Sequence, residues 1–222
     1  MTGGRPTKIA RHDVIEMFTT PLWIVDLAPE EHEPLNRQLR AEIERLLTPR
    51  PKIPKGGNWQ TEQNLHTLPG FAPVCEIAMM TARGAMRWLG LEDHKLVITG
   101  CWANINPPGS AHPRHTHPNN YLSGVYYPQA GPDAAEIVFS DPRPEAFVIM
   151  PRPRQWSERT ANNRVVPARD GRMVIFPSWL QHHVMANQSE TERMSIAFNF
   201  MIPQFSETLA APMWKANVGG GG

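Results

Sequence analysis

His112-Pro-Arg-His-Thr-His-Pro-Asn-Asn-Tyr-Leu-Ser-Gly-Val-Tyr-Tyr127 is the stretch on which the reading of this chain turns. It opens with three histidines in six residues, and His115 and His117 stand one residue apart. In an extended chain alternate side chains point the same way, so both imidazoles can face one point in space. Imidazole is the commonest side-chain ligand of divalent transition metals. A histidine pair on its own fits a surface loop equally well. The metal reading therefore needs further ligands, set in strands, from elsewhere in the chain.

Working outward, the apolar pattern has period two from Lys95 onward. Leu96–Asn106 reads as a strand stopped by Pro107-Pro108-Gly109, followed by strands at Tyr121–Tyr127 and Glu136–Ser140. Arg172–Phe176, Val184-Met185 and Met194–Ile202 complete the series. Residues 141–164 between them are rich in proline and polar groups; a loop of that length in a compact domain is usually either functional or mobile. Upstream the period changes. Phe18–Leu27 is β-branched and aromatic and predicts a strand. Glu30–Leu47 places Leu35, Leu39, Ile43, Leu46 and Leu47 at helical spacing, and Phe71–Leu91 carries a second such stripe. Pro49–Asn58 is a loop. Helices first and strands after predict an α+β chain, mainly β, with helices packed on a sandwich or barrel. The predicted organisation is a single domain over 1–222: a strand and supporting helices at 18–94, a β core at 95–202 and a tail at 203–222.

The 22 basic and 21 acidic residues nearly balance, which gives no electrostatic case for nucleic acid or an anionic membrane. No apolar run approaches the roughly 18 residues of a membrane span, and no apolar core follows the basic start. Cys75 and Cys101 do not make a disulfide framework, so reduced thiols and a cytoplasmic setting are expected. The 23 prolines, about twice ordinary usage, imply many shaped turns.

A third metal ligand comes from Phe176-Pro-Ser-Trp-Leu-Gln-His182-His183. A strand runs into a turn there, and His182 opens the next strand. His183 must point the opposite way, so only one of the two can bind; His182 is favoured. Three protein ligands leave coordination positions for substrate and dioxygen. His12, His32, His66 and His94 fall in helix or loop contexts and are expected to be ordinary surface residues. On the last strand Arg193 and Ser195 share a face, and a guanidinium fork beside a hydroxyl is a good seat for a carboxylate. The run continues as Met-Ser-Ile-Ala-Phe-Asn-Phe, which must be largely buried, and a buried arginine needs an anionic partner.

His115-x-His117, Leu122–Tyr127, Phe139-Ser-Asp-Pro-Arg143, Phe176-Pro-Ser-Trp-Leu-x-His182 and Arg193-x-Ser195, in this order, resemble the 2-oxoglutarate/Fe(II)-dependent oxygenase superfamily. The resemblance is strongest to its small branch with an H-x-H-P…L-S-G-V-Y-Y signature. It implies a double-stranded β-helix (a jelly roll) with Fe(II) at one mouth and 2-oxoglutarate and O2 as co-substrates. A small molecule or peptide would be oxidised with release of succinate and CO2. By that resemblance His115 and His182 are metal ligands, and Arg193 and Ser195 hold the far carboxylate of 2-oxoglutarate with help from Tyr127. Trp102 and Asn104 would line the pocket, and Trp156 in the 141–164 loop would approach its mouth together with Arg152, Arg154 and Arg159. The superfamily usually has a carboxylate where this chain has His117; Asn119 is the alternative third ligand if the register is shifted. No nucleic acid or membrane partner is expected, and a homodimer is left open.

Two other readings fit parts of the pattern. Gly109, five residues on to His115-x-His117, and Gly171 followed by Pro177 and His182, are similar to the two cupin motifs. A three-histidine iron dioxygenase working without 2-oxoglutarate would follow. The third is a non-enzymatic jelly-roll module holding a structural ion, which would have no need of a buried Arg193.

Overall fold

The computed structural model describes residues 8–131 and 136–204. Its first half is helical. β1 (Trp23–Asp26) leads into α1 (Pro29–Leu47), then β2 (Trp59–Gln60) and α2 (Ala72–Trp88). The second half is strand after strand: β3 (Val97–Asn106), β4 (His112–His115), β5 (Leu122–Gln129), β6 (Ile137–Ser140), β7 (Asn163–Val166), β8 (Arg172–Pro177), β9 (His182–Val184) and β10 (Arg193–Met201). α1 starts on Pro29 with Glu30 and Glu31 in its first turn and Arg45 in its last, the charge order that a helix dipole favours. Its Leu39 and Ile43 are fully buried, and α2 buries Val74, Ala78, Ala82 and Ala85, small side chains that let the helix approach the sheet closely.

The strands form a six-stranded sheet, β1-β8-β5-β10-β3-β2, and a four-stranded sheet, β4-β9-β6-β7. All neighbouring pairs are antiparallel. Strand alternation divides the side chains of the larger sheet between two layers. Cys101, Ala103, Ile105, Leu122, Tyr126, Met173, Ile175, Ile196, Phe198 and Phe200 pack under the helices. Val125, Tyr127, Val174 and Phe176 face the smaller sheet and meet its Ile137 and Phe139. The architecture is a double-stranded β-helix with both helices on the outer face of its larger sheet. The Tyr126 hydroxyl donates to Asn36 Oδ1 at 2.7 Å, and Arg172 grips Asp26 with two hydrogen bonds of 2.6 and 2.7 Å, tying α1 and β1 to the sheet. Among the described residues no helix is long and apolar enough to cross a membrane.

The structure differs from the sequence reading in three places. The strand expected over Phe18–Leu27 is confined to Trp23–Asp26, because Phe18 turns the chain through a left-handed φ of 57° and is 85% exposed. Short strands arise where no alternation signalled them: β2, β4 and β7, the last taking Asn163 and Arg164 from the end of the expected 141–164 loop. Residues 203 and 204 make a helical turn; the rest of the expected tail, 205–222, lies outside the described residues.

Gly124 in β5 is required by close approach. A Cβ there would lie 2.4 Å from Ile175 Cδ1 and 3.1 Å from the Val174 carbonyl oxygen. Gly124→Ala should cost about 1–3 kcal/mol of unfolding free energy in urea denaturation. In an Ile175→Val background, which lacks that Cδ1, the same substitution should cost measurably less.

Candidate metal centre

β4 and β9 are neighbours in the smaller sheet, and their register sets His115 directly opposite His182. The two rings lie 4.4 Å apart between centroids. His117 follows β4 in the chain, its N–H donating to the Ser178 carbonyl at 2.9 Å, and this bond brings its ring to 5.1 Å from His115 and 5.2 Å from His182. One ring nitrogen from each of the three lies within 4.8 Å of the others. The remaining nitrogens are held in two cases. His115 Nδ1–H donates to the Pro113 carbonyl at 2.8 Å and His182 Nδ1–H to the Leu180 carbonyl at 2.9 Å. Each bond fixes the tautomer and leaves the Nε2 lone pair for a metal. Burial, opposed by the Leu180 carbonyl and reinforced by the neighbouring imidazoles, pushes the His182 pKa down to about 3. Burial and His115 push that of His117 to about 4. Both rings are therefore neutral and able to donate at physiological pH. Phe176 meets His182 edge-on at 4.8 Å, Phe139 stands 5.8 Å from it, and Trp102 lies 6.0 Å from His117, so aromatic walls flank the cluster.

One further residue enters through an irregularity in β4. His112 pairs with Val184 and His115 with His182, three steps along one strand against two along the other. The extra residue, in the Pro113-Arg114 stretch, breaks the alternation and turns His112 to the same inward face as His115. Period-two reasoning places His112 outward, which is why sequence analysis passed over it. The only signal available was Pro113, which is at home in a bulge and foreign to a regular central strand.

Behind the histidines the cavity carries a cluster of polar side chains. Arg193 is 2% and Ser195 4% exposed. The Arg193 guanidinium donates to Asn106 Oδ1 at 3.0 Å and lies over the Tyr127 ring, 5.0 Å from its centroid. Its Nε and the Tyr127 hydroxyl are buried without a hydrogen-bond partner. No carboxylate pairs with Arg193 among the described residues. These groups, the three clustered histidines, His112, Trp102, Asn104 and Asn106 line one cavity of about 70 Å³, and among the described residues no Asp or Glu lines it.

Two expected residues are elsewhere. Asn119 is exposed and sits in a left-handed turn with φ 64°, outside the cavity lining, so His117 occupies the third position of the cluster. Trp156 is 56% exposed and does not line the cavity; the proline-rich loop carries its indole to the surface, where Arg152, Arg154 and Arg159 are also exposed. His183 lies on the other face of β9 and lines a shallow outer groove. His12 and His94 are exposed as expected, but His32 and His66 are half-buried, His32 against Gly171 and His66 with its Nδ1 buried.

Residues 100–199, the span that supplies every group of this cavity, match the family described as "Putative 2OG-Fe(II) oxygenase". Over these residues the chain is similar to the 2OG-Fe(II) oxygenases. Solved structures of similar fold include HygX from Streptomyces hygroscopicus with nickel and 2-oxoglutarate bound, at 15% identity and a TM-score of 0.59, covering 82% of this chain and 83% of that one. A Pseudomonas putida prolyl-4-hydroxylase aligns at 16% identity and a TM-score of 0.57, covering 82% and 93%. The non-haem α-ketoglutarate-dependent epimerase SnoN of nogalamycin biosynthesis aligns at 15% and 0.58, covering 81% and 78%. No curated protein aligns significantly with the sequence. The family reading is favoured over the cupin and over the non-enzymatic module. The residues present fit the family's metal, since three convergent imidazoles suit Fe(II). The chemistry of the buried guanidinium, the phenol and the hydroxyl also suits an anionic co-substrate.

His182→Ala should abolish retention of Fe(II) or Co(II), whereas His183→Ala should keep most of it. Metal content after desalting, measured by inductively coupled plasma analysis, decides between them. The reverse outcome would mean that the outer face of β9 carries the ligand.

Proposed function

We propose that His115, His117 and His182 hold one Fe(II) ion, and that Arg193, Ser195 and Tyr127 seat the distal carboxylate of 2-oxoglutarate. The enzyme then oxidises a small molecule with O2 and releases succinate and CO2. The observation that carries this reading is the cavity, free of carboxylates among the described residues, in which Arg193 is buried together with three convergent histidines. A lone buried cation is costly unless an anion joins it, and a dicarboxylate that reaches a metal with one end brings the other end to the guanidinium.

Bound Fe(II) with a chelating 2-oxo acid supplies the oxidising power of dioxygen, which no side chain of this protein provides. The chain's own residues do the rest. The backbone carbonyls of Pro113 and Leu180 lock two imidazoles in their ligating tautomer. Asn106 accepts a hydrogen bond from the guanidinium and so holds it at the wall of the cavity that it lines. Trp102, Phe139 and Phe176 exclude bulk water from around the histidines, where stray water would compete for open coordination positions.

Small-molecule substrates are supported by two of the structurally similar proteins, HygX with hygromycin B and SnoN with nogalamycin RO. The segment between Ser140 and Asn163 leaves β6 one residue after Phe139, the partner of His182, so it springs from the metal end of the smaller sheet. We assign substrate selection to that segment. Free, buried Cys75 and Cys101 support a reducing, cytoplasmic setting.

Arg193→Ala should weaken 2-oxoglutarate binding about 30- to 1,000-fold, the effect of truncating one partner of a buried charged pair worth about 2–4 kcal/mol. Arg193→Lys should recover only part, since a point charge cannot form the two-pronged contact. Anaerobic titration of the Fe(II) protein, with iron content checked on the same samples, measures both. Equal affinity in all three proteins would make Arg193 structural and remove the case for 2-oxoglutarate.

A further inference from the structure

We infer that His112 is a fourth group of the co-substrate seat and determines its preference for a dicarboxylate over a simple 2-oxo acid. The inference rests on the reading of Arg193 above and adds to it a residue that the family resemblance does not assign.

Three observations place His112 there. The bulge in β4 turns it to the inward face, and its partner across the sheet, Val184, lines the same cavity. That pair lies two residues of β9 beyond the His115–His182 pair, which at strand rise is roughly 6.6 Å deeper than the metal ligands. A five-carbon dicarboxylate chelating at the histidines extends its second carboxylate over a comparable distance. Finally, the ring of His112 makes no hydrogen bond among the described residues, although it is half-buried. Its pKa is lowered, first by burial and then by the nearby Arg193 cation and His115. An imidazole that is neutral keeps one ring N–H in either tautomer.

The chemistry of the seat has room for such a donor. A carboxylate presents two oxygens with about four acceptor directions. Arg193 offers its unbonded N–H groups from one side, and the Ser195 and Tyr127 hydroxyls add two more contacts. His112 approaches from the smaller sheet, whereas the other three come from the larger one. A carboxylate between them is therefore held from both walls. A ligand that ends in a methyl group would leave the His112 N–H and the Arg193 fork facing an apolar group, a loss that selects against it.

The test uses the full-length protein loaded anaerobically with Fe(II), titrated separately with 2-oxoglutarate and with 2-oxobutyrate, which has the same chelating head and no distal carboxylate. Iron content and thermal melting are measured on every sample. His112→Phe should bind 2-oxoglutarate about tenfold more weakly, the loss of one hydrogen bond to a charged group, and 2-oxobutyrate within about twofold of wild type. His112→Gln, which keeps a donor, should recover part of the loss. If His112→Phe lowers the melting temperature or the iron content, His112→Val, matching its cross-strand neighbour, supplies the same comparison. Unchanged 2-oxoglutarate affinity overturns the inference. So does an equal loss for both ligands, because His112 would then act through its neighbour His115. Failure of wild type to bind 2-oxoglutarate, or undiminished binding by Arg193→Ala, instead overturns the underlying reading of the seat.

Discussion

The pairing of His115 with His182 across two strands of the smaller sheet is the constraint on which the rest of this site depends. β9 is only three residues long, yet it is held on both edges, by β4 through His115 and by β6 through Phe139. A slip of one residue in either ladder would turn His182 outward and bring His183 in. The facing sheet supplies the other half of the site through β10, clamped between β3 and β5 along its length. What relates the two halves is a short chain of hydroxyl and amide contacts. Ser123 meets Ser178 at 2.8 Å and Asn199 at 2.8 Å, and the Ser178 carbonyl takes the His117 N–H. Through these buried bonds the third imidazole is positioned by strands of the larger sheet, although the chain reaches it from the smaller one.

Regular alternation made most of this legible. β10 alternates Met194, Ile196, Phe198 and Phe200 with Ser195, Ala197 and Asn199, so the shared face of Arg193 and Ser195 follows from period two, whereas the placement of Trp102, Asn104 and Tyr127 in the pocket was implied by the family resemblance. β4 was not legible, because His-Pro-Arg-His has neither β propensity nor alternation. It is a strand because β9 offers it an edge, a tertiary cause that no local pattern records. His112 was lost for the same reason, since a bulge changes which residues face inward and leaves almost no trace in composition. Asn119 and Trp156 failed differently. Both sit on loops, where the direction of a side chain is fixed by turn geometry: a left-handed φ in one case, a proline-rich surface path in the other.

The donor set has an electrostatic consequence. In the superfamily that residues 100–199 resemble, a carboxylate usually shares the metal with two histidines; here His117 would stand in that place, and among the described residues no acidic side chain lines the cavity. A divalent ion held by three neutral imidazoles keeps its full charge, with the Arg193 cation buried in the same space. Neutrality has to come from the ligands. A dianionic co-substrate would meet both positive centres at once, so metal and co-substrate would each raise the affinity of the site for the other, by equal factors as linkage requires.

The buried guanidinium also bears on how this protein endures heat. Arg193 is desolvated against Tyr127 with an amide oxygen as its one hydrogen-bond acceptor among the described residues. An isolated charge in such a place lowers the free energy of unfolding. The molecule on its own is thus less stable than the packing of its two cores would make it. A bound anion returns that difference, because a ligand that joins only the folded state shifts the unfolding equilibrium by mass action. A ligand in the cavity would therefore raise the melting temperature, and a hydrophobic replacement that hardened the fold there would do so by deleting the guanidinium proposed to hold the co-substrate. Durability and ligand capture compete for a single side chain.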